Sequence, residues 1–264
     1  MIKKALWILL VPALIVATAC SSDSSSSSAA SADSSPAGTE LTVFAASSLT
    51  GAFTQMGTDF EAANPGVHVT FNFGSSTDLA AQIASEGTAD VFASASGTAM
   101  DAAAADPGVE DQADFATNQL VIITPSDDPA NIGSVDDLAN DGVQVVLAAE
   151  GVPVGDYTRE MLDNAGISKD VMANVVSNEP DDAAVVAKVS SGEADAGIVY
   201  TSDIATADVG SVAVPGDINV TATYPIAVIT GAPQADLATS FVTYVTGAQG
   251  QTTLASFGFG PPPG

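Results

Sequence analysis

Large apolar residues along this chain follow two alternating spacings. Residues 41–44 form a short apolar run followed by small residues, a pattern that predicts a buried strand. From Leu49 to Phe60 the large apolar residues are spaced by four, three and four, which predicts one buried face of a helix. The helix is expected to end at Asn64-Pro65-Gly66. Residues 41–60 are therefore predicted to form a strand, a serine-containing junction and a helix.

The same alternation continues to the C-terminus. Further strands are predicted at 67–73, 90–93, 120–124, 143–147, 175–176, 196–200 and 223–229. Helices are predicted after Ser76, at 98–105, from Pro153, at 180–191 and around 237–245. Strands that alternate with helices in this way are typical of an α/β architecture.

Two of the strand–helix junctions carry adjacent serines, Ser47-Ser48 and Ser75-Ser76. The first turn of a helix leaves backbone N–H groups without partners and carries partial positive charge. A serine hydroxyl adds another donor, so such a junction can hold an anion. Serine is also a favoured N-cap, and the alternative is that Ser48 only caps its helix.

The N-terminus carries the pattern of an export signal. Two lysines precede an apolar stretch, and small residues lead to Cys20, the single cysteine of the chain. Residues 1–19 are predicted to be a signal peptide, and the pattern resembles a bacterial lipobox in which Cys20 becomes lipid-modified, although Ala17 stands where leucine is usual. Residues 20–38 would form a Ser-rich, lipid-anchored tether. A plain secretory peptide with an incidental cysteine is the alternative.

The chain is strongly acidic, with 32 acidic and 5 basic residues. Phosphate contacts require a basic surface, so nucleic acid is excluded as a partner. The charge does not exclude a small anionic ligand, because exposed charges are screened over about 8 Å at physiological salt while a dry pocket feels mainly its nearest dipoles.

The sequence offers little that could support enzymatic chemistry. His68 is the single histidine, and it alternates with valines as an ordinary strand residue does. No G-x-S-x-G, H-E-x-x-H, C-x-x-C, G-x-G-x-x-G or P-loop sequence occurs. The sequence therefore predicts no enzyme, no cofactor and no direct metal-cation site.

Five blocks in this order and spacing resemble the molybdate-binding proteins of bacterial ABC importers. The blocks are VFAASSLT at 43–50, FGSSTDLAAQI at 73–83, ADVFASAS at 89–96, PVGDYTREML at 153–162 and GEADAGIVYTSD at 192–203. The resemblance covers about Glu40 to Phe259. It implies a type II periplasmic-binding-protein fold, in which two crossing strands join two α/β lobes and the ligand lies in the cleft between them.

The resemblance also implies where the lobes begin and end. The crossings would fall near Asn118–Thr124 and Thr223–Val228, so that residues 39–120 and 225–264 form lobe 1 and residues 121–224 form lobe 2. Ligand binding would draw the lobes together, and the closed surface would then face the permease.

Family ligand positions fall on Ser48, Ser76, Val154, Asp182 and Tyr200. The serines would donate hydroxyl and backbone N–H groups, Val154 only its N–H, and Tyr200 its hydroxyl. Asp182 replaces the apolar residue that is more usual there. Since a carboxylate beside a dianion is unfavourable, the Asp182 side chain is expected to point to solvent and only its amide to face the ligand.

The function implied is an extracytoplasmic, membrane-anchored and monomeric receptor for molybdate, with tungstate as a second ligand. Neutral donors alone favour a fully ionised anion, and the cavity size would exclude the smaller sulfate. The alternatives are a receptor for sulfate or another tetrahedral oxyanion, an extracellular hydrolase, and an interaction lipoprotein with an empty cleft.

Overall fold

The strands of this protein form two parallel groups held together by a pair of long antiparallel strands. The computed structural model describes residues 38–205 and 207–264. The predicted signal peptide, Cys20 and nearly all of the predicted tether lie outside these residues. No helix within the described part of the chain combines the length and apolar character needed to cross a bilayer.

The elements of the described residues are these. The strands are β1 (Thr39–Ala46), β2 (Val67–Gly74), β3 (Val91–Ala93), β4 (Val109–Thr124), β5 (Val145–Ala148), β6 (Val175–Glu179), β7 (Ala196–Tyr200), β8 (Gly210–Ala213) and β9 (Thr221–Ile229). The α-helices are α1 (Thr50–Ala63), α2 (Ser76–Glu86), α3 (Gly97–Ala105), α4 (Pro153–Ala165), α5 (Ser168–Ala173), α6 (Asp182–Ser190), α7 (Ala235–Thr246) and α8 (Ala248–Ser256). Short 3-10 helices cover Ser47–Leu49, Val135–Ala139 and Asp203–Ala205.

The strand order is β2-β1-β3-β9-β4-β7-β5-β6, with β8 also paired to β4. Strands β1, β2 and β3 run parallel to one another, as do β5, β6 and β7. The long strands β4 and β9 pair antiparallel between the two groups. Consequently the strands of each parallel group end on the same edge, where their following helices begin.

The hydrophobic spacing in α1 gives this helix one buried face, as predicted. Phe53, Met56 and Phe60 are buried, whereas Thr54 and Gln55 are exposed. Phe53 and Phe60 pack edge-on against Phe241 of α7, with ring centroids 6.1 and 5.2 Å apart. Aromatic pairs in this geometry add to the energy of simple area burial. The strand–junction–helix prediction for residues 41–60 is confirmed.

Several elements depart from the predicted ones. Strand β4 begins at Val109, eleven residues before the predicted strand, because backbone pairing with β9 holds a stretch whose sequence is mostly polar. Helices α5 and α8 and strand β8 were not predicted. Their segments are short or weakly apolar, so the signal that periodicity detects is missing there.

Strand β4 passes from one parallel group to the other. Its residues up to Gln119 pair with β9, and those from Leu120 onward pair with β7 and β8. This change lies within the predicted crossing at 118–124. Strand β9 pairs with β3 and β4 from Thr221 to Ile229, and the crossing at 223–228 remains a prediction. The lobe boundaries at 120/121 and 224/225 remain a prediction.

Candidate functional site

All five residues predicted to contact a ligand line one cavity. The space between the lining residues is about 180 Å³, part of which is open to solvent. The lining residues are Ala46, Ser47, Ser48, Gly74, Ser75, Ser76, Ala95, Val152, Pro153, Val154, Asp182 and Tyr200. They come from the carboxyl ends of strands in both parallel groups, which is where α/β sheets place their ligand crevices.

Ser48 lies in the 3-10 turn between β1 and α1 and is buried. Its Oγ is 2.9 Å from the hydroxyl of Tyr224, and it makes no capping bond to α1. The capping alternative for Ser48 is therefore wrong. Asn118 Nδ2 donates to the same Tyr224 hydroxyl over 3.5 Å, so that hydroxyl can donate to Ser48 and leave the Ser48 O–H free for the cavity.

Ser76 is the first residue of α2 and is buried. Its Oγ accepts a hydrogen bond of 2.9 Å from the backbone N–H of Ala95, next to β3. A hydroxyl that accepts one bond keeps its own hydrogen to donate elsewhere. Ser76 thus offers both an O–H and a first-turn N–H to the cavity.

Val154 is the second residue of α4, directly after Pro153. Proline fits the first helical position because no N–H is needed there, and the N–H of Val154 has no acceptor within the helix. Gly155 lets this turn lie against the end of β5, since a Cβ at that position would collide with the backbone oxygens of Ala148 and Ala149. The local sequence therefore places Val154 in the cavity lining, at a helix position whose N–H the helix does not use.

The expected orientation of Asp182 is wrong. This first residue of α6 is 3% exposed, and its Oδ2 is buried without a hydrogen-bond partner while its side chain lines the cavity. The preceding Asp181 caps α6 through a bond from Ala184 N to its Oδ1 at 2.8 Å. Because Asp181 occupies the capping position, Asp182 falls one residue later and turns inward.

Asp203 provides the second carboxyl of a pair with Asp182. It follows β7, and its Oδ2 accepts the backbone N–H of Tyr200 at 2.8 Å. Burial raises the pKa of Asp182 from 3.8 to about 7, with a hydrogen bond from Asp203 opposing and the charge of Asp181 adding to the shift. Burial and the neighbouring Asp182 charge also raise the pKa of Asp203. Two carboxyls in contact cannot both ionise readily, so the pair retains at least one proton at neutral pH.

Tyr200, the last residue of β7, completes the predicted set. It is 1% exposed, and its hydroxyl has no hydrogen-bond partner. Its ring packs edge-on against Tyr224 with centroids 5.8 Å apart. Burial, followed by the neighbouring Tyr224 and Asp182, raises the pKa of Tyr200 well above its usual value. The hydroxyl is therefore neutral at physiological pH and can donate.

Three buried side-chain polar atoms of the described residues lack a hydrogen-bond partner, and all three belong to residues that line this cavity. They are Ser75 Oγ, Asp182 Oδ2 and Tyr200 OH. Buried polar groups are almost always paired, and leaving one unpaired costs about 1 to 3 kcal/mol. Their concentration at one place indicates a site whose polar atoms are completed by a ligand.

Sequence reasoning missed Ser75, Tyr224, Asn118 and Asp203. Ser75 precedes a predicted ligand residue and Asp203 ends one of the five blocks, so proximity in sequence could have suggested both. Tyr224 and Asn118 gave no signal, because the pairing of β4 with β9 brings them together and only Tyr224 forms a hydrogen bond with a lining residue, Ser48. His68, predicted to be an ordinary strand residue, lies exposed on β2. Within the described part of the chain, no group of three or more His, Cys, Asp or Glu side chains could hold a metal ion.

Comparison with known proteins places the chain in a family. The family model described as bacterial extracellular solute-binding protein matches residues 41–260. The molybdate-binding protein ModA of Mycobacterium tuberculosis is 42% identical, over 96% of this chain and 97% of that protein.

Solved structures share the fold. The periplasmic molybdate-binding protein of Azotobacter vinelandii superposes with a TM-score of 0.75 at 19% identity, covering 84% of this chain and all of that one. The sulfate-binding protein SubI of Mycobacterium tuberculosis gives the same TM-score at 18% identity, covering 84% and 87%. The type II periplasmic-binding-protein fold implied by the resemblance is confirmed, and this chain belongs to the family of bacterial extracellular solute-binding proteins.

Proposed function

We propose that this protein captures molybdate outside the cytoplasm and delivers it to the permease of an ABC importer. The observation that carries the proposal is the buried cavity in which Ser48, Ser76, Val154, Asp182 and Tyr200 converge. Four of the five stand at or next to helix starts. Helix starts provide free N–H groups and partial positive charge, which suit an oxyanion without a fixed countercharge. The protein is a binding protein and not an enzyme.

The donor chemistry supports a fully ionised tetrahedral anion. Hydroxyl groups of Ser48, Ser76 and Tyr200 and the N–H of Val154 donate without carrying charge. Molybdate and tungstate have the same shape and charge and are larger than sulfate, so the same site takes both. The 42% identity to a molybdate-binding protein over nearly the whole chain favours molybdate over other oxyanions.

A sulfate receptor is the second candidate, because a sulfate-binding protein has the same fold at the same TM-score. Calorimetric titration of the purified protein with molybdate, tungstate, sulfate and phosphate at pH 6 separates the two. We expect molybdate and tungstate to bind with similar affinity and sulfate to bind at least a hundredfold more weakly. Stronger binding of sulfate would replace the first proposal by the second, and binding of none of the four would reject both.

Attachment to the membrane through a lipidated Cys20 is part of the proposal, supported by the small residues before that cysteine and the Ser-rich stretch after it. Expression of wild type and Cys20→Ser with a labelled fatty acid tests it. Label on the wild-type protein alone is expected; equal labelling of the two, or none on either, would contradict lipidation of Cys20. We further propose that the protein acts as a monomer whose lobes close on the anion.

A further inference from the structure

Asp182 places a titratable carboxyl in a cavity otherwise lined by neutral donors. Its Oδ2 is one of the three buried atoms without a partner, and the side chain is 3% exposed. An ionised carboxylate at this position would repel a bound dianion across a short, desolvated distance. A protonated carboxyl is instead one further donor.

We propose that Asp182, supported by Asp203, holds a proton on Oδ2 and donates it in a hydrogen bond to the bound oxyanion, so that anion binding is coupled to proton uptake. The inference rests on the proposed function and makes Asp182 a specificity-determining residue of the same site. The proton comes from solvent, and no bond other than the O–H bond is formed.

The surroundings of Asp182 favour the protonated form. The titratable groups around it are Asp181 at the start of α6, Asp203 after β7, Tyr200 on β7, Tyr224 on β9 and, beyond Tyr200, Tyr157 on α4. Neither lysine nor arginine is among the groups that act on either carboxyl of the pair. Acids and neutral phenols cannot compensate a second buried negative charge. One carboxyl of the pair is therefore neutralised by binding a proton.

Asp203 is arranged to support this state. Its Oδ2 accepts the N–H of Tyr200, and the adjacent Ser202 hydroxyl is among the groups that act on the pKa of Asp203. Ser202 in turn accepts a bond of 2.9 Å from Asn118 Nδ2, which leaves the Ser202 O–H to donate. The buried carboxyl of Asp203 neighbours that of Asp182, and because two such groups cannot both ionise readily, the pair retains a proton. Asp203 is therefore a positioning residue that acts through Asp182.

The consequence is a pH-dependent affinity. The pKa of Asp182 is about 7 without a ligand, and a bound dianion raises it further. Above that pH, binding must be accompanied by uptake of one proton, and the affinity is expected to fall by up to about tenfold per pH unit. Below about pH 6 the proton is already present and the affinity is expected to level off.

Calorimetry of molybdate binding to the full-length protein at pH 8, in two buffers of different ionisation enthalpy, measures the uptake directly. Molybdate itself is fully ionised at this pH, so the buffer-dependent part of the enthalpy reports on the protein. We expect uptake of about one proton by wild type. Zero uptake together with a flat pH profile would overturn the inference and leave the proposed function intact.

Asp182→Asn supplies a fixed donor of the same shape. The variant is expected to match wild type within about threefold at pH 6, to take up no proton, and to bind at least tenfold more tightly than wild type at pH 9. Asp181→Asn is the matched control, because asparagine keeps the cap of α6 and the charge change is the same. It should retain the steep pH profile.

Two further results would overturn the inference. If Asp182→Asn keeps the wild-type pH profile, another group takes up the proton. If the variant loses binding of phosphate selectively, Asp182 acts as an acceptor for a protonated anion. Failure of wild type to bind molybdate, tungstate, sulfate or phosphate at any pH would reject the proposed function as well. Failure of the proton-uptake inference alone would leave anion binding intact, so the two outcomes can be told apart.

Discussion

The two walls of the cavity hold an anion by different means. The serine wall, formed by Ser48, Ser75 and Ser76, follows β1 and β2 and contains only neutral groups. The carboxyl wall consists of Asp182 and Tyr200, at the ends of β6 and β7, together with the buried Asp203 that neighbours Asp182 outside the cavity lining. Protein groups already hold two of the serine hydroxyls, at 2.9 Å each. On the carboxyl wall, Asp182 Oδ2 and the Tyr200 hydroxyl have no partner.

Because of this difference, the two walls should contribute separately to the affinity for the anion and to the pH dependence of that affinity. Hydroxyl and backbone donors keep their hydrogens at every physiological pH, so the serine wall binds an anion equally well throughout. The carboxyl wall donates only while it is protonated. A chain of hydrogen bonds runs from Ser48 through Tyr224 and Asn118 to Ser202, the residue before Asp203. Substitutions in the serine wall should therefore change the affinity equally at every pH, whereas substitutions in the carboxyl wall should change how the affinity depends on pH.

The largest expected effect concerns stability and the carboxyl wall. The unfolded chain releases the Asp182 proton near pH 3.8, whereas the folded protein retains it to about pH 7. The folded state thus binds more protons in this window, and raising the pH from 4 to 7 lowers the free energy of unfolding. We expect a contribution on the order of 3 kcal/mol, which Asp182→Asn removes. Urea unfolding of both proteins at pH 5 and 8 measures it.

The surface carboxylates of this acidic chain produce a slope of the same sign. Asp181→Asn controls for that background, and added salt screens it while the buried pair is screened much less. Equal pH slopes for Asp182→Asn and wild type would mean that the pair holds no proton in the folded protein.

The serine wall should control affinity without changing its pH dependence. Ser48→Ala and Ser76→Ala are each expected to weaken molybdate binding by about 1.5 to 3 kcal/mol, the range for hydrogen bonds to charged groups. Ser85→Ala, an exposed serine at the other end of α2, is the control. Calorimetry at pH 6 and 8 should show the same loss at both. Wild-type affinity in both variants would remove these serines from the site.

Tyr200→Phe tests the unpartnered hydroxyl of the carboxyl wall. The ligand-free protein should lose no stability, because the removed hydroxyl is buried without a partner. Molybdate binding should weaken by about 1.5 kcal/mol. Thermal melting with and without molybdate measures both effects, and Tyr244→Phe on α7 is the control. A destabilised ligand-free variant would show that the hydroxyl is bonded in the absence of anion.

The smallest effect is expected at a contact outside the cavity that joins α2, the helix after the serine wall, to the segment before α4. Thr77 Oγ1 on α2 donates to the carbonyl oxygen of Gly151, before α4, over 2.6 Å. Because Thr77 is exposed, Thr77→Val should weaken molybdate binding by only about 0.5 kcal/mol. Thr77→Ser should restore it in calorimetry. A loss that serine does not restore would point to packing of the threonine methyl group instead.

Local patterns predicted much of the fold, and the five residues that the family resemblance implied as ligand positions line one cavity. Ser76 and Val154 occupy the starts of α2 and α4 because serine and proline signals act within one turn of the helix. The first half of β4 could not be predicted in the same way. Its mostly polar residues form a strand only because β9, about a hundred residues later, supplies the hydrogen bonds.

By itself, the sequence determined the order of strands and helices and the helix starts that provide N–H donors, because those signals lie within a few neighbouring residues. Only the tertiary structure decided the orientation and the protonation of the carboxyl wall. The orientation of Asp182 depends on Asp181 taking the cap of α6. Its protonation depends on Asp203, which neighbours it from the 3-10 helix after β7, and on the lack of a cation among the groups that act on it. Desolvation and charge pairing depend on distance in space, and spacing along the chain does not encode them.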